Sequence, residues 1–226
     1  GQASLVDVGD VEMVPLDWQQ NFERITAAVR EIRTRKSLPF ILGGDHAITF
    51  PNVRAFDDHK AITVVHFDAH FDYRDEVAGV RYGHGNVLRR VRELPFVDQI
   101  VSIGVRSLRT RCEDFDDFER DGNVCMPAWD IHDLGVASFV EQLPQGRDIY
   151  ITFDIDAMDP GIAPGTGTPE VGGMSFEQAR AFLALVCERN SLIGMDLVEV
   201  NPHFDPSYIT GLLAAQLLVE VLGFNF

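Results

Sequence analysis

Apolar residues in this chain follow two rhythms. Phe22, Ile25, Val29 and Ile32 recur at spacings of three and four, with charge on the opposite face. That spacing predicts an amphipathic helix over residues 21–35, with Asn21 as its N-cap. Elsewhere the apolar residues fall in short unbroken runs rich in β-branched side chains, which predict buried strands. Such runs occupy 40–42, 61–67, 99–103, 123–126, 148–153 and 192–200, and a shorter one at 5–11 runs into a loop. Helical stretches separate them at 47–58, 86–94, 113–120, 136–143 and 207–222. A further helix is capped by Ser175, with Glu177 and Gln178 in its first turn, and runs to Arg189. Strand and helix alternate, so the expected fold is an α/β domain whose mainly parallel sheet is covered on both faces. No internal repeat or low-complexity linker interrupts the chain, and residues 1–226 read as one domain.

Chemistry gathers where the strands stop. The run Val64-Val65-His66-Phe67 leads into Asp68, His70 and Asp72, which alternate and so share one side of an extended chain. The strand at 148–153 ends in Asp154, Asp156 and Asp159. His46 follows Gly43-Gly44-Asp45 at a strand-to-helix junction, where α/β proteins place ligands. Each feature alone has an ordinary reading: a solvated strand end, or a structural histidine. In a parallel sheet the C-terminal strand ends line one edge, and together these residues form a cluster of carboxylates and imidazoles. Packing such carboxylates together costs several kcal/mol unless cations neutralise them. Two divalent ions sharing bridging carboxylates fit that charge better than one. Mixed Asp and His without Cys favours Mn2+, with Fe, Co, Ni and Zn as alternatives.

The composition narrows the partners. Lys and Arg number 19 against 35 Asp and Glu, a formal charge of −16, so nucleic acid and anionic membrane are poor partners. A small cationic substrate would be attracted. No apolar run approaches the ~18–20 residues of a membrane span, and no secretory signal is visible at the first residue. The three cysteines, Cys112, Cys125 and Cys187, lack metal or disulfide spacing. They are expected to be buried free thiols of a cytoplasmic protein.

Five motifs carry a resemblance. Gly43-Gly44-Asp45-His46, Asp68-Ala69-His70-Phe71-Asp72, the stretch from Phe153-Asp154 to Asp159-Pro160, Gly165-Thr166-Gly167-Thr168-Pro169, and Asp196-Leu197-Val198-Glu199-Val200-Asn201-Pro202 occur in this order. Together they resemble the ureohydrolase family of arginases, agmatinases and guanidino-acid hydrolases. The resemblance implies a three-layer α/β/α sandwich and two Mn2+ ions per chain. One ion would be held by His46, Asp68, Asp72 and Asp154, the other by Asp68, His70, Asp154 and Asp156. Asp45 and Asp159 would support the site or its turns.

The implied reaction is hydrolysis of a guanidino compound to urea and an amine, agmatinase-like. Alternatives are a guanidino-acid hydrolase, a formimidoylglutamase-like hydrolase, or an inactive metal-binding paralogue. Asp72 would orient the nucleophile, His84 of Tyr82-Gly83-His84-Gly85 would shuttle a proton, Glu199 would grip the guanidinium, and Thr168 would lie near it. A homo-oligomer, trimer or hexamer, is expected. Glu170 departs from the apolar residue usual after Thr-Pro, and faces either outward or a cationic tail. In the loop 73–86, Arg74 and Arg81 are candidates for holding a tail carboxylate, and Asp75 and Glu76 for holding an amine. The family's long segment before the first strand is not seen ahead of Leu5, and its lack would leave substrate binding open.

Overall fold

Every neighbouring pair of strands in the sheet runs parallel. The computed structural model describes residues 4–226. Its strands are β1 (Phe40–Leu42), β2 (Ile62–Phe67), β3 (Val97–Ile103), β4 (Val124–Met126), β5 (Asp148–Asp154) and β6 (Ser191–Val198), in the order β1-β6-β5-β2-β3-β4. The helices are α1 (Trp18–Thr34), α2 (Thr49–Arg54), α3 (Val87–Arg92), α4 (Cys112–Arg120), α5 (Ala128–Leu134), α6 (Phe176–Arg189) and α7 (Ile209–Asn225).

The alternation of side chains along each strand builds two separate cores. Ile62 and Val64 of β2, with Ile100 and Tyr150, pack against Val29 of α1, Val53 of α2, Leu88 of α3 and Phe118 of α4. Val65 and Phe67, with Val101, Ile151 and Phe153, pack against Phe182 of α6 and Leu217 of α7. The result is a three-layer α/β/α sandwich. β2 lies near the middle of the sheet and all its residues are buried. No described helix is long and apolar enough to cross a membrane.

The structure corrects several local expectations. Residues 5–11 form no strand: Leu5, Val6 and Val8 are mostly exposed, and no described strand takes up their backbone hydrogen bonds. Helix α1 begins earlier than expected, because Asp17 caps it by accepting from the Gln20 amide at 2.9 Å. Asn21 instead closes the preceding turn through two hydrogen bonds with the Val14 backbone. The stretch 47–58 shortens to a 3-10 turn (His46–Ile48) and α2. Likewise 86–94 becomes a 3-10 turn (His84–Asn86) and α3, and 136–143 is a 3-10 segment (Val136–Gln142). β6 stops at Val198, because Glu199 turns out of the strand with φ 63°. α5 was not foreseen. The cysteines are free, but only Cys187 is buried: Cys125 is half-buried and Cys112 exposed. The capping box is present: Ser175 and Gln178 each accept from the other's amide.

Candidate metal centre and cleft

Strand register sets the site. Phe67 of β2 pairs with Phe153 of β5, so Asp68 and Asp154 leave the two strands side by side. Across β5, Asp154 pairs with Val198, which puts Glu199 one residue beyond the same edge. β1 pairs with β6, and the chain past it is tied down when the Glu199 amide donates to the Gly44 carbonyl at 3.1 Å. The glycine-rich loop lies directly on the segment after β5. A Cβ at Gly173 would stand 2.4 Å from Met158 and Asp159 backbone atoms, so only glycine fits there.

His46 Nδ1 faces three carboxylates: Asp68 Oδ2 at 3.0 Å, Asp154 Oδ2 at 3.2 Å and Asp72 Oδ2 at 3.3 Å. His70 Nδ1 faces two, Asp156 Oδ2 at 3.0 Å and Asp68 Oδ1 at 3.3 Å. The two groups share Asp68, through different oxygens. His46 Nδ1 is buried and makes no hydrogen bond to this surrounding ring of oxygens. Donor atoms about 2.1 Å from one octahedral ion stand about 3 Å apart. An orphaned nitrogen among carboxylate oxygens at that spacing is what metal ligands require, so these residues fit divalent cations.

A buried hydrogen-bond chain orients His46. The Asp196 carboxylate accepts from Thr49 Oγ1 at 3.2 Å, from Asn52 Nδ2 at 3.0 Å and from the Tyr150 hydroxyl at 2.7 Å. With its proton given to Asp196, Thr49 must accept from Thr152, 3.0 Å away. Thr152 in turn accepts from His46 Nε2 at 2.9 Å. In the neutral ring the chain therefore places the proton on Nε2 and leaves the Nδ1 lone pair aimed at the cluster.

Electrostatics point the same way. Burial works against a charged His46, but Asp154, Asp68 and Asp72 outweigh it and raise its pKa well above the ordinary histidine value. Burial likewise opposes a charged His70, yet Asp156 and Asp68 push it up to about 11. Burial and the neighbouring Asp68 push Asp156 up to about 6. Burial, Asp156 and Asp68 raise Asp154 well above the usual carboxylate range. Burial also works against ionising Asp68, but His46, His66 and His70 hold it well below that range.

The other expected residues take distinct places. Asp72 adopts φ 45°, an unusual backbone for aspartate, and its carbonyl accepts from the Leu88 amide. Thr168 Oγ1 donates to Asp156 Oδ2 at 3.3 Å. Glu199 Oε1 accepts from the His46 amide at 2.8 Å, and burial raises its pKa. His84 stands at the mouth, its Nδ1 3.9 Å from Asp45 and its side chain 69% exposed. Burial pushes Asp159 up, but the amides of Gly161, Gly173 and Gly172 outweigh it and hold the carboxyl below its usual range.

Glu170 is half-buried and turned toward the cluster. It accepts from Ser107 Oγ at 2.8 Å and lies 3.6 Å from His70 Nε2. Asp75 is committed to Arg90 at 2.6 Å and Arg81 at 2.8 Å, which leaves that acid and Arg81 paired with each other.

Two residues were not singled out from sequence. His66 is fully buried between Ser102 Oγ and Asp68 Oδ2, each at 2.9 Å, and with His46 and Asp68 forms a group able to hold a metal. It belongs to the same alternating series as Asp68 and His70, which was the available signal. Arg106, just past β3, is buried and donates to the carbonyls of Gly104, Asp156, Ala157, Met158, Glu170 and Val171. An arginine at a strand end beside Ser107 was its only trace in the sequence.

A cleft of about 230 Å³ opens from this centre, lined by His70, Asp72, Asp154, Thr168, Glu199 and His84 among others.

Comparison with known proteins bears on this arrangement. The family model described as Arginase family matches residues 1–223. The guanidinobutyrase of Pseudomonas aeruginosa is 36% identical over 225 residues, covering 97% of this chain and 70% of that protein. The agmatinase of Halalkalibacterium halodurans is 33% identical over 227 residues, covering 98% and 75%. Among solved structures, the proclavaminate amidino hydrolase from Streptomyces clavuligerus superposes with a TM-score of 0.90 at 31% identity, covering 97% of this chain and 75% of that one.

Proposed function

This chain belongs to the arginase family as a metal-dependent hydrolase of the ureohydrolase type, and we propose that it releases urea from a guanidino compound at a pair of Mn2+ ions. The observation that carries the reading is the double cluster, with His46 and His70 each facing carboxylates and Asp68 facing both. One ion would be held by His46, Asp68, Asp72 and Asp154, and the other by Asp68, His70, Asp154 and Asp156. Bound there, divalent cations supply an acidified water as nucleophile.

The remaining work falls to side chains. A guanidinium is cationic and planar, and its N–H groups match a carboxylate. Glu199 offers one, with Oε1 already fixed by the His46 amide and Oε2 left toward Gly167. Asp72 is held rigidly at the cleft wall and orients the attacking water. Collapse of the tetrahedral carbon needs a proton on the departing nitrogen, and His84 at the open mouth delivers it. Thr168, through Asp156, braces the guanidinium side. The reading extends to a cytoplasmic homo-oligomer, a trimer or hexamer, which sedimentation would measure.

The test is urea release from Mn2+-loaded protein, with metal content measured alongside. The panel is agmatine, 4-guanidinobutyrate, 3-guanidinopropionate and arginine, with formimidoylglutamate assayed for formamide. Urea from a guanidine with two ions bound is expected. Two ions without urea would point to an inactive paralogue, and formamide alone to a formimidoyl hydrolase.

A further inference from the structure

Glu199 accounts for one end of the substrate. The cleft lining also carries Arg74, Arg109, Thr110 and Asp114. Its charges are unequally committed. Asp114 is buried and accepts from Arg111 Nε at 2.8 Å, and Arg74 Nε lies 3.4 Å from the same oxygen. Arg74 also donates to the Arg109 carbonyl at 2.6 Å. That contact, with the Arg109 amide donating to Ser107 Oγ at 3.2 Å, fixes the backbone of Arg109. The Arg109 guanidinium itself makes no hydrogen bond or ion pair among the described residues. Next to it, Thr110 Oγ1 is buried without a hydrogen-bond partner. The wall thus presents one uncommitted cation and one unsatisfied hydroxyl, on consecutive residues.

We propose that Arg109 and Thr110 form a subsite for the carboxylate of an ω-guanidino acid. This deepens the function proposed above and rests on it. A carboxylate has two acceptor oxygens, enough for a guanidinium fork and a hydroxyl together. An ammonium tail meets the reverse situation here: Asp114, the acid beside this pair on the lining, is already bound by two arginines. A zwitterion with its guanidinium on Glu199 and its carboxylate on Arg109 matches a cleft with carboxylates at its floor and one uncommitted guanidinium on its lining.

The experiment compares 4-guanidinobutyrate with butylguanidine, which lacks the carboxylate, and with agmatine. kcat/KM is measured on Mn2+-loaded wild type, Arg109→Met and Arg109→Glu, and Kd by calorimetry on the metal-free proteins. The acid should exceed butylguanidine by about 10- to 100-fold in wild type, the range of a charge-assisted contact. Arg109→Met should bring that ratio close to one, mainly through KM, and Arg109→Glu should favour agmatine. Both patterns should recur in Kd. Butylguanidine hydrolysed as well as the acid by wild type, or an acid preference that survives Arg109→Met, overturns the subsite and leaves the proposed function standing. No urea from any guanidine overturns the proposed function, and the Kd ratios then decide the subsite by themselves.

Discussion

At the floor of the cleft, ligand-type side chains are buried and held by neighbours. His46 is pinned through Thr152, Asp68 through His66, and Asp156 through the Ala69 amide. At the mouth, His84 stands mostly in solvent with its nearest acid 3.9 Å away, and Arg109 is held only by its backbone. The floor is rigid because parallel strands deliver it in register. The mouth is loop, and its side chains are free to meet a ligand. Floor geometry therefore sets the kind of reaction, and the mouth sets which molecule undergoes it.

Changes at the floor should cost most. Asp154→Ala removes a carboxylate facing His46, and bound metal and urea release should both be lost. The loss should exceed the roughly 10- to 100-fold carried by partners outside the ligand shell. Metal analysis that still finds two ions would remove Asp154 from the ligands. At the mouth, His84→Asn should lower kcat by roughly 10²–10⁴-fold with metal content intact, as for loss of a proton-transferring group. Full turnover would exclude His84.

Glu199→Gln sits at the boundary of the two regions. Its amide oxygen must stay on the His46 N–H, which turns the NH2 group toward the incoming guanidinium, donor against donor. kcat/KM should fall by about 10- to 100-fold with metal retained, and unchanged kinetics would remove Glu199 from substrate binding. Thr152→Val cuts the chain that directs the His46 lone pair. Metal affinity should drop by about tenfold, the lower end for such partners, as read by calorimetry; an unchanged affinity would show that packing alone orients the ring.

The smallest effect per step concerns pH. His46 and His70 are held protonated by the acids around them, and a metal ligand must shed that proton. Mn2+ uptake should therefore release protons and tighten as pH rises, by up to about tenfold per unit for each proton displaced. Affinity independent of pH would mean the imidazoles are already neutral.

The floor was readable in sequence because its signals are local. A β-branched run announces β2, alternation announces Asp68 and His70, and a glycine pair announces the turn into His46. The shorter elements were harder to read. α5 opens on Pro127 and buries little beyond Ala128 and Ile131, too few apolar positions to show a helical period. The start of α1 went to Asn21 because both residues are capping types, and only the fold shows Asn21 occupied with Val14. The mouth is less legible for a different reason. Charges in the loop 73–86 looked available, but Asp75 is consumed by an arginine 15 positions away. Arg109 stands out only because its neighbours are spoken for, and such long-range pairing leaves no pattern along the chain.

The grip of Arg106 has a consequence for how this protein can change. All its acceptors are main-chain oxygens, on residues 104, 156–158 and 170–171. A latch that touches only backbone is indifferent to the side chains it holds. Positions 170 and 171 can therefore change side chain without loosening the latch, whereas Gly173 of the same loop cannot, and the floor beneath stays in place. That latitude depends on one residue: a lysine at 106, with a single nitrogen in place of the planar fork, reaches too few of those oxygens to hold both loops at once.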